Sequence, residues 1–201
     1  GMGGHNAGDY ASKYCVEFFT QRISDSNISS PIANIEEAIK ATNDNLLSKA
    51  KENKELQGMG TTFVVATIYD KMMYIANIGD SRLYVIGKKI KQITEDHSLV
   101  EAMVKTGELD RSMARVHPNK NIITRALGAN DNVEPDFFEV TLGDGDIVLM
   151  CSDGLTNMLD DKMIDKIIRE NESLEETVNT LVKEANNNGG KDNIAIIMIK
   201  V

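Results

Sequence analysis

The sequence predicts an α+β fold in which antiparallel sheets are covered by helices, and three observations carry this. Helical periodicity occupies the first fifty residues and returns near the carboxyl end. β-branched and aromatic runs fill the middle, and the links between those runs are too short for the crossovers that parallel strands need.

Taken in order, residues 6–23 place Ala7, Ala11, Tyr14, Cys15, Phe18 and Phe19 near one helical face, with Asn6 as the expected cap. A second helix follows Pro31, which suits a first-turn position, and carries Ile32, Ile35, Ile39 and Leu46 to about residue 50. The period then changes. Runs at 61–69, 72–77 and 82–86 are strand-like and are separated by Asp70-Lys71 and Gly79-Asp80, turn chemistry that predicts successive hairpins and a meander. Ser98 caps a short helix that Gly107 stops, and residues 107–128 form an irregular flap with one helical turn. Strands return at 137–141 and 146–151. Helices at 161–170 and 174–186 precede a final strand beginning at Ile194.

At 201 residues and 41% apolar composition, the chain is expected to form one domain. No run approaches the roughly 18 apolar residues of a membrane span, and the amino terminus lacks a basic region followed by an apolar one. Neither membrane insertion nor secretion is expected, so the reading is cytoplasmic. Two cysteines, Cys15 and Cys151, lie in apolar surroundings and suit a reducing compartment. A net charge of −9 argues against nucleic acid as a partner unless bound metal supplies positive charge.

The chemistry is concentrated in acidic turns. Cys151-Ser152-Asp153-Gly154 ends one apolar strand, and Gly189-Gly190-Lys191-Asp192-Asn193 begins another. If those strands pair antiparallel, Asp153 and Asp192 reach the same rim, and such oxygen donors without interleaved Cys or His suit Mg²⁺ or Mn²⁺ better than zinc. A third aspartate, Asp80, stands in Asn77-Ile78-Gly79-Asp80-Ser81-Arg82, read as a hairpin tip. The start, Gly1-Met2-Gly3-Gly4-His5, allows close backbone approach to an ion or phosphate; a cloning remnant would read the same way.

These segments, with Gly60-Thr61-Thr62 and Thr94-Glu95-Asp96-His97-Ser98, closely resemble the bacterial branch of the metal-dependent type-2C Ser/Thr protein phosphatases, the PPM family. The resemblance spans essentially the whole chain. It implies a four-layer α/β/β/α sandwich of two antiparallel sheets flanked by helices, and a binuclear Mn²⁺ or Mg²⁺ centre whose water attacks phosphoserine or phosphothreonine. By that resemblance Asp153 and Asp192 are ligands of the first metal and the Gly1 carbonyl touches the second. Asp80, with Asp153, holds a third, weaker ion. His5 protonates the departing oxygen, although a histidine beside a glycine-rich turn also serves as a helix-start hydrogen-bond partner. The implied partners are phosphorylated proteins, including targets of a bacterial Ser/Thr kinase and the kinase itself.

One departure matters. The family motif is Asp-Gly-Met-Gly-Gly-His, and here Gly1 is the first residue, so the bridging aspartate and the upstream strands are missing. A truncated chain of this kind is expected to bind metal poorly and hydrolyse phosphoesters feebly, and its exposed edge strands invite homodimerisation.

Other chemistries fit less well. A cysteine-dependent phosphatase needs an arginine six residues beyond its nucleophile, but Cys151 is followed there by Asn157, so Cys151 reads as a strand-end core residue. An aspartyl-phosphate enzyme wants Asp-x-Asp after a strand, whereas Asp144-Gly145-Asp146 precedes one. His97 reads as a structural turn residue, Arg82 as a tie across its hairpin, and Met72 and Met73 as strand residues. The rival from another class is a noncatalytic phosphatase-like module that binds a protein partner through the flap.

Overall fold

The computed structural model describes residues 1–2, 4–24 and 30–201, without the side chains of residues 4–6. Helix α1 (Gly4–Ser24) starts ahead of Asn6, which therefore lies inside the helix instead of capping it. Helix α2 (Pro31–Glu52) begins at its proline. Strands β1 (Phe63–Tyr69), β2 (Met72–Ile78), β3 (Arg82–Ile86) and β4 (Ile90–Gln92) follow. Then come α3 (Leu99–Lys105), α4 (Arg111–Ala114), β5 (Asp136–Thr141), β6 (Ile147–Cys151), α5 (Asp153–Thr156), α6 (Asp161–Glu170), α7 (Leu174–Asn187) and β7 (Ile196–Lys200).

Local chemistry sets these boundaries. The Ser98, Asp160 and Ser173 side chains accept from the amides of Glu101, Met163 and Glu176, satisfying donors that the first turns of α3, α6 and α7 leave open. Asp70 and Lys71 both take positive φ, 46° and 65°, which matches the right-handed twist of the β1–β2 hairpin.

The expected meander is corrected. β1, β2 and β5 form one antiparallel sheet in the order β1-β2-β5, while β3 joins a second sheet in the order β4-β3-β6-β7. The Gly79-Asp80-Ser81 segment therefore carries the chain from one sheet to the other and is no hairpin tip. Burial explains the difference, because β2 and β3 each pair with strands far away in sequence, Asn77 with Asp136 and Arg82 with Cys151, and local turn chemistry holds no record of those partners.

Strand alternation produces four layers. Ala76 and Ile78 of β2 face α1 and α2, packing with Ala11, Cys15, Phe19, Ile35, Ile39 and Leu46. Met73 and Ile75 face the other way, meeting Leu83, Leu142 and Val148 between the sheets. On the far side Tyr84, Leu149 and Cys151 pack with Ile164, Ile168, Leu181 and Ala185 of α6 and α7. Each fully buried Leu or Ile contributes about 1.5–3 kcal/mol, so the three clusters dominate stability.

The antiparallel register also collects chain ends at one rim. Phe63 pairs with Ile78, Asn77 with Asp136, Arg82 with Cys151, and Cys151 with Ile196. The segments before β1, β3, β5 and β7, and those after β2 and β6, all emerge there.

Candidate active site

That rim holds all three predicted aspartates. Asp153 follows β6, Asp192 precedes β7, and the β6–β7 pairing expected from sequence is the one formed. Two hydrogen bonds stitch their turns together. Ser152 donates its amide to the Ala195 carbonyl at 3.0 Å, and its Oγ accepts from the Ala195 amide at 3.0 Å. Asp153 opens the single turn α5 and receives a hydrogen bond from Asn157 Nδ2 at 3.0 Å. Asn157 is thus the residue that aims Asp153. In the sequence that position serves only to reject a cysteine nucleophile, though its i,i+4 spacing from Asp153 is the available signal.

Gly1 lies near enough for its ammonium to act on Asp153. Met2 donates to the Gly60 carbonyl at 2.7 Å and accepts from the Gly60 amide at 3.2 Å, pinning the start of the chain beside β1. A Cβ on Gly1 would lie 1.8 Å from the Gly8 carbonyl oxygen, so Gly1 is close-packed against α1. The side chain of His5 lies outside the described residues.

The electrostatics tie the carboxylates together. Burial, then the charges of Asp153 and Asp96, push the Asp80 carboxyl up to about 7, against the pull of its own backbone amide and of Arg82. Asp153 is also raised, first by burial and then by Asp192, while the Gly154 amide and the amino-terminal ammonium oppose the shift. Asp153 therefore stands between two like charges. Among the described residues none of the three aspartates forms an ion pair with a side-chain cation, and no three His, Cys, Asp or Glu residues close a cage by themselves. All-oxygen donors with unrelieved mutual repulsion fit hard divalent ions. Mg²⁺ in particular is commonly held by one or two carboxylates with water completing the shell.

The other residues singled out in the sequence also find places. Arg82 reaches Asp96 through a two-pronged contact, Nε to Oδ1 at 2.9 Å and Nη2 to Oδ2 at 2.7 Å, and donates to the Tyr84 hydroxyl at 3.0 Å. It is a tie, but to the segment beyond β4 and not across the turn before it. Cys151 is buried on the helix side of its sheet, where burial pushes its thiol up to about 12 and keeps it protonated. His97, also buried, bonds the Gly79 amide.

A cleft of about 580 Å³ opens beside the rim, and its lining includes Asp80 and Asp153 together with Arg115 and Lys120 of the irregular 107–128 stretch. Arg115 is anchored to the Leu159 carbonyl at 3.2 Å. Burial, then Arg115 and Lys191, lower the proton affinity of Lys120, with Asp153 opposing. Sequence reasoning assigns no role to these cations, because only folding brings residues 115, 120 and 191 together.

Two facing antiparallel sheets, helices outside them and an acidic rim beside a cation-bearing cleft define an enzyme built for phosphate chemistry. Residues 1–194 match the Protein phosphatase 2C family, and the chain belongs to it. Similar proteins include "Serine/threonine phosphatase stp" of Listeria monocytogenes serovar 1/2a, 38% identical over all of this chain and 81% of that protein. Among solved structures, serine/threonine phosphatase Stp1 from Staphylococcus aureus superposes with a TM-score of 0.94 at 38% identity, covering 100% of this chain and 80% of that one. The catalytic domain of serine threonine protein phosphatase PstP, solved in complex with 2 manganese ions, superposes with a TM-score of 0.88 at 29% identity, over 100% of this chain and 84% of that one. The chain is thus a member of the serine/threonine phosphatase class of enzymes.

Proposed function

We propose that this domain hydrolyses phosphoserine and phosphothreonine in proteins with the help of Mn²⁺ or Mg²⁺, two or three ions in the intact enzyme, reversing a bacterial Ser/Thr kinase in the cytoplasm. The observation that carries this reading is the position of Asp153, half-buried at the rim and coupled to both Asp80 and Asp192. Asp153 and Asp192 would hold the first ion, the Gly1 carbonyl would approach the second, and Asp80 with Asp153 would hold the third. Bound there, such ions supply an acidified water and neutralise charge on phosphoryl oxygens, which suits one of the slowest uncatalysed hydrolyses.

The chain's own groups do the remaining work. Asn157 keeps the Asp153 carboxylate oriented. His5 donates the proton that the departing serine or threonine oxygen requires. Arg115 and Lys120 on the flap, residues 107–128, face the cleft and attract the dianionic substrate, and the flap selects the phosphoprotein, the kinase included.

The decisive experiment uses p-nitrophenyl phosphate and Mn²⁺ with the unsubstituted protein beside Asp153→Asn and Asp192→Asn. Turnover that survives both changes refutes the assignment.

Self-association is the accompanying proposal. β1 and β7 stand at sheet edges and carry exposed Ile68, Ile197 and Ile199, which suits pairing with a second copy. Light scattering that finds only monomer removes it.

A further inference from the structure

We propose that His97 is a positioning residue of the active site: its imidazole holds the Gly79 amide and thereby sets the direction in which Asp80 presents its carboxylate. This rests on the reading of Asp80 as a metal ligand.

The ring is 6% exposed and makes polar contacts through both nitrogens. Nδ1 accepts from the Gly79 amide at 3.1 Å, so Nδ1 carries a lone pair. Nε2 lies 3.1 Å from Asp136 Oδ2, so Nε2 carries the hydrogen and donates it. The other oxygen of Asp136 accepts from Arg125 Nη1 at 2.7 Å, which locks the carboxylate that in turn locks the ring. Arg125 is itself held by the Glu134 carbonyl at 3.0 Å. A carboxylate that fixes the tautomer and orientation of a histidine is the arrangement that steers metal-binding histidines; here the ring steers a backbone turn next to a carboxylate ligand.

The rest of the turn shows why that grip matters. The His97 amide donates back to the Gly79 carbonyl at 2.9 Å, and Asn77 Nδ2 reaches the same carbonyl at 3.3 Å. The Gly79 peptides are therefore held on both sides. Gly79 takes φ of +104°, and a Cβ there would lie 2.5 Å from Thr62 Cγ2, so the turn has no room to drift in that direction. Beyond Asp80, Ser81 Oγ meets Thr62 Oγ1 at 2.9 Å. Asn77 donates also to the Glu95 carbonyl at 2.9 Å, and its Oδ1 is buried without a hydrogen-bond partner among the described residues. Turning that amide over would point its oxygen at two carbonyls. The fold keeps one unsatisfied atom and retains the clamp.

A purely structural histidine would serve through the opposite nitrogen, tying the start of α3 to β5 through Asp136. Two substitutions separate the roles. The Oδ1 of asparagine stands where Nδ1 stands and can accept from Gly79, while the Nε2 of glutamine stands where the ring Nε2 stands and can donate to Asp136.

The test uses His97→Asn and His97→Gln in the full-length protein. Mn²⁺ binding is measured by calorimetry, the Gly79 amide by ¹H–¹⁵N spectra, and stability by thermal denaturation. The expected result is weakest-site Mn²⁺ affinity within threefold of wild type for His97→Asn. For His97→Gln the expected loss is at least tenfold, with an upfield move of the Gly79 amide. Equal affinities in the two variants, or a greater loss in His97→Asn, overturn the proposal. If neither variant folds, long-range ¹H–¹⁵N spectra of the wild-type ring decide, since a hydrogen on Nδ1 overturns it and a hydrogen on Nε2 with a bonded Gly79 amide upholds it. A wild-type protein that takes up no Mn²⁺ would instead remove the metal reading, and the ring spectrum would remain interpretable on its own.

Discussion

Gly154 stands so close to Asn193 that a Cβ on it would lie 2.2 Å from the Asn193 carbonyl oxygen and 3.4 Å from that of Asp192. The two turns that carry Asp153 and Asp192 touch at this glycine. Gly154→Ala is therefore expected to push the turns apart, with a stability cost of about 1–3 kcal/mol from overpacking. Mn²⁺-dependent turnover should fall at least tenfold, because both carboxylates move. Steady-state kinetics beside a melting curve checks this, and unchanged turnover would contradict the contact.

Asp80 is held near other negative charge in the metal-free protein, so removing its charge should help the fold. Asp80→Asn is expected to raise the melting temperature of chelator-treated protein at pH 8. The gain should be roughly 1–2 kcal/mol, or about 3–6 °C for a domain of this size. On the role proposed for Asp80 the sign should reverse in excess Mn²⁺, since ligand binding to the native state stabilises it and a protein without that carboxylate would bind less. Calorimetric melts with chelator and with Mn²⁺ give both signs.

Asp136 supplies the pH prediction. Burial would raise its carboxyl, but hydrogen bonds from His97 and Arg125 outweigh burial and hold it below the usual range. A group depressed in the folded state contributes stability above its unfolded pKa, near 3.9, and loses it as pH falls through the folded value. Asp136→Asn should therefore melt lower than wild type at pH 7, with the two curves converging below about pH 4. A gap that widens on acidification would contradict the assignment.

Arg82 and Asp96 share a two-pronged contact with side chains only 26% and 13% exposed. Arg82→Ala leaves the Asp96 charge without its partner and is expected to cost about 3 kcal/mol. Pairing Arg82→Met with Asp96→Leu should recover most of that loss. A double-mutant cycle in denaturant measures the coupling, and additive losses would show that the two side chains act independently.

Much of the architecture is legible in the chain without coordinates. Pro31 at a helix start, Ser98 as a cap, positive-φ residues at 70 and 71 and the amphipathic spacing of Ile164, Ile167 and Ile168 are decided by residues within a few positions of one another. The pairing of β6 with β7 is legible as well, since two apolar strands with acidic turns at matching ends have one antiparallel arrangement that joins those turns. The division of β2 and β3 between sheets is not, because alternation reports which side of a strand is apolar and not which neighbour lies beside it.

The amino-acid sequence by itself determined the α+β class, most helix limits, though not the start of α1 or the existence of α5, and the identity of three acidic segments. These depend on φ preferences, capping groups and hydrophobic period, all of them short-range. Only the tertiary structure decided that Asn157 would aim Asp153 beside a turn sewn to Ala195 by Ser152. It alone decided that His97 would reach Gly79 on one side and Asp136 on the other, and that Arg115, Lys120 and Lys191 would meet. Contacts between residues tens of positions apart depend on sheet register and layer packing, which no local stretch of sequence encodes on its own.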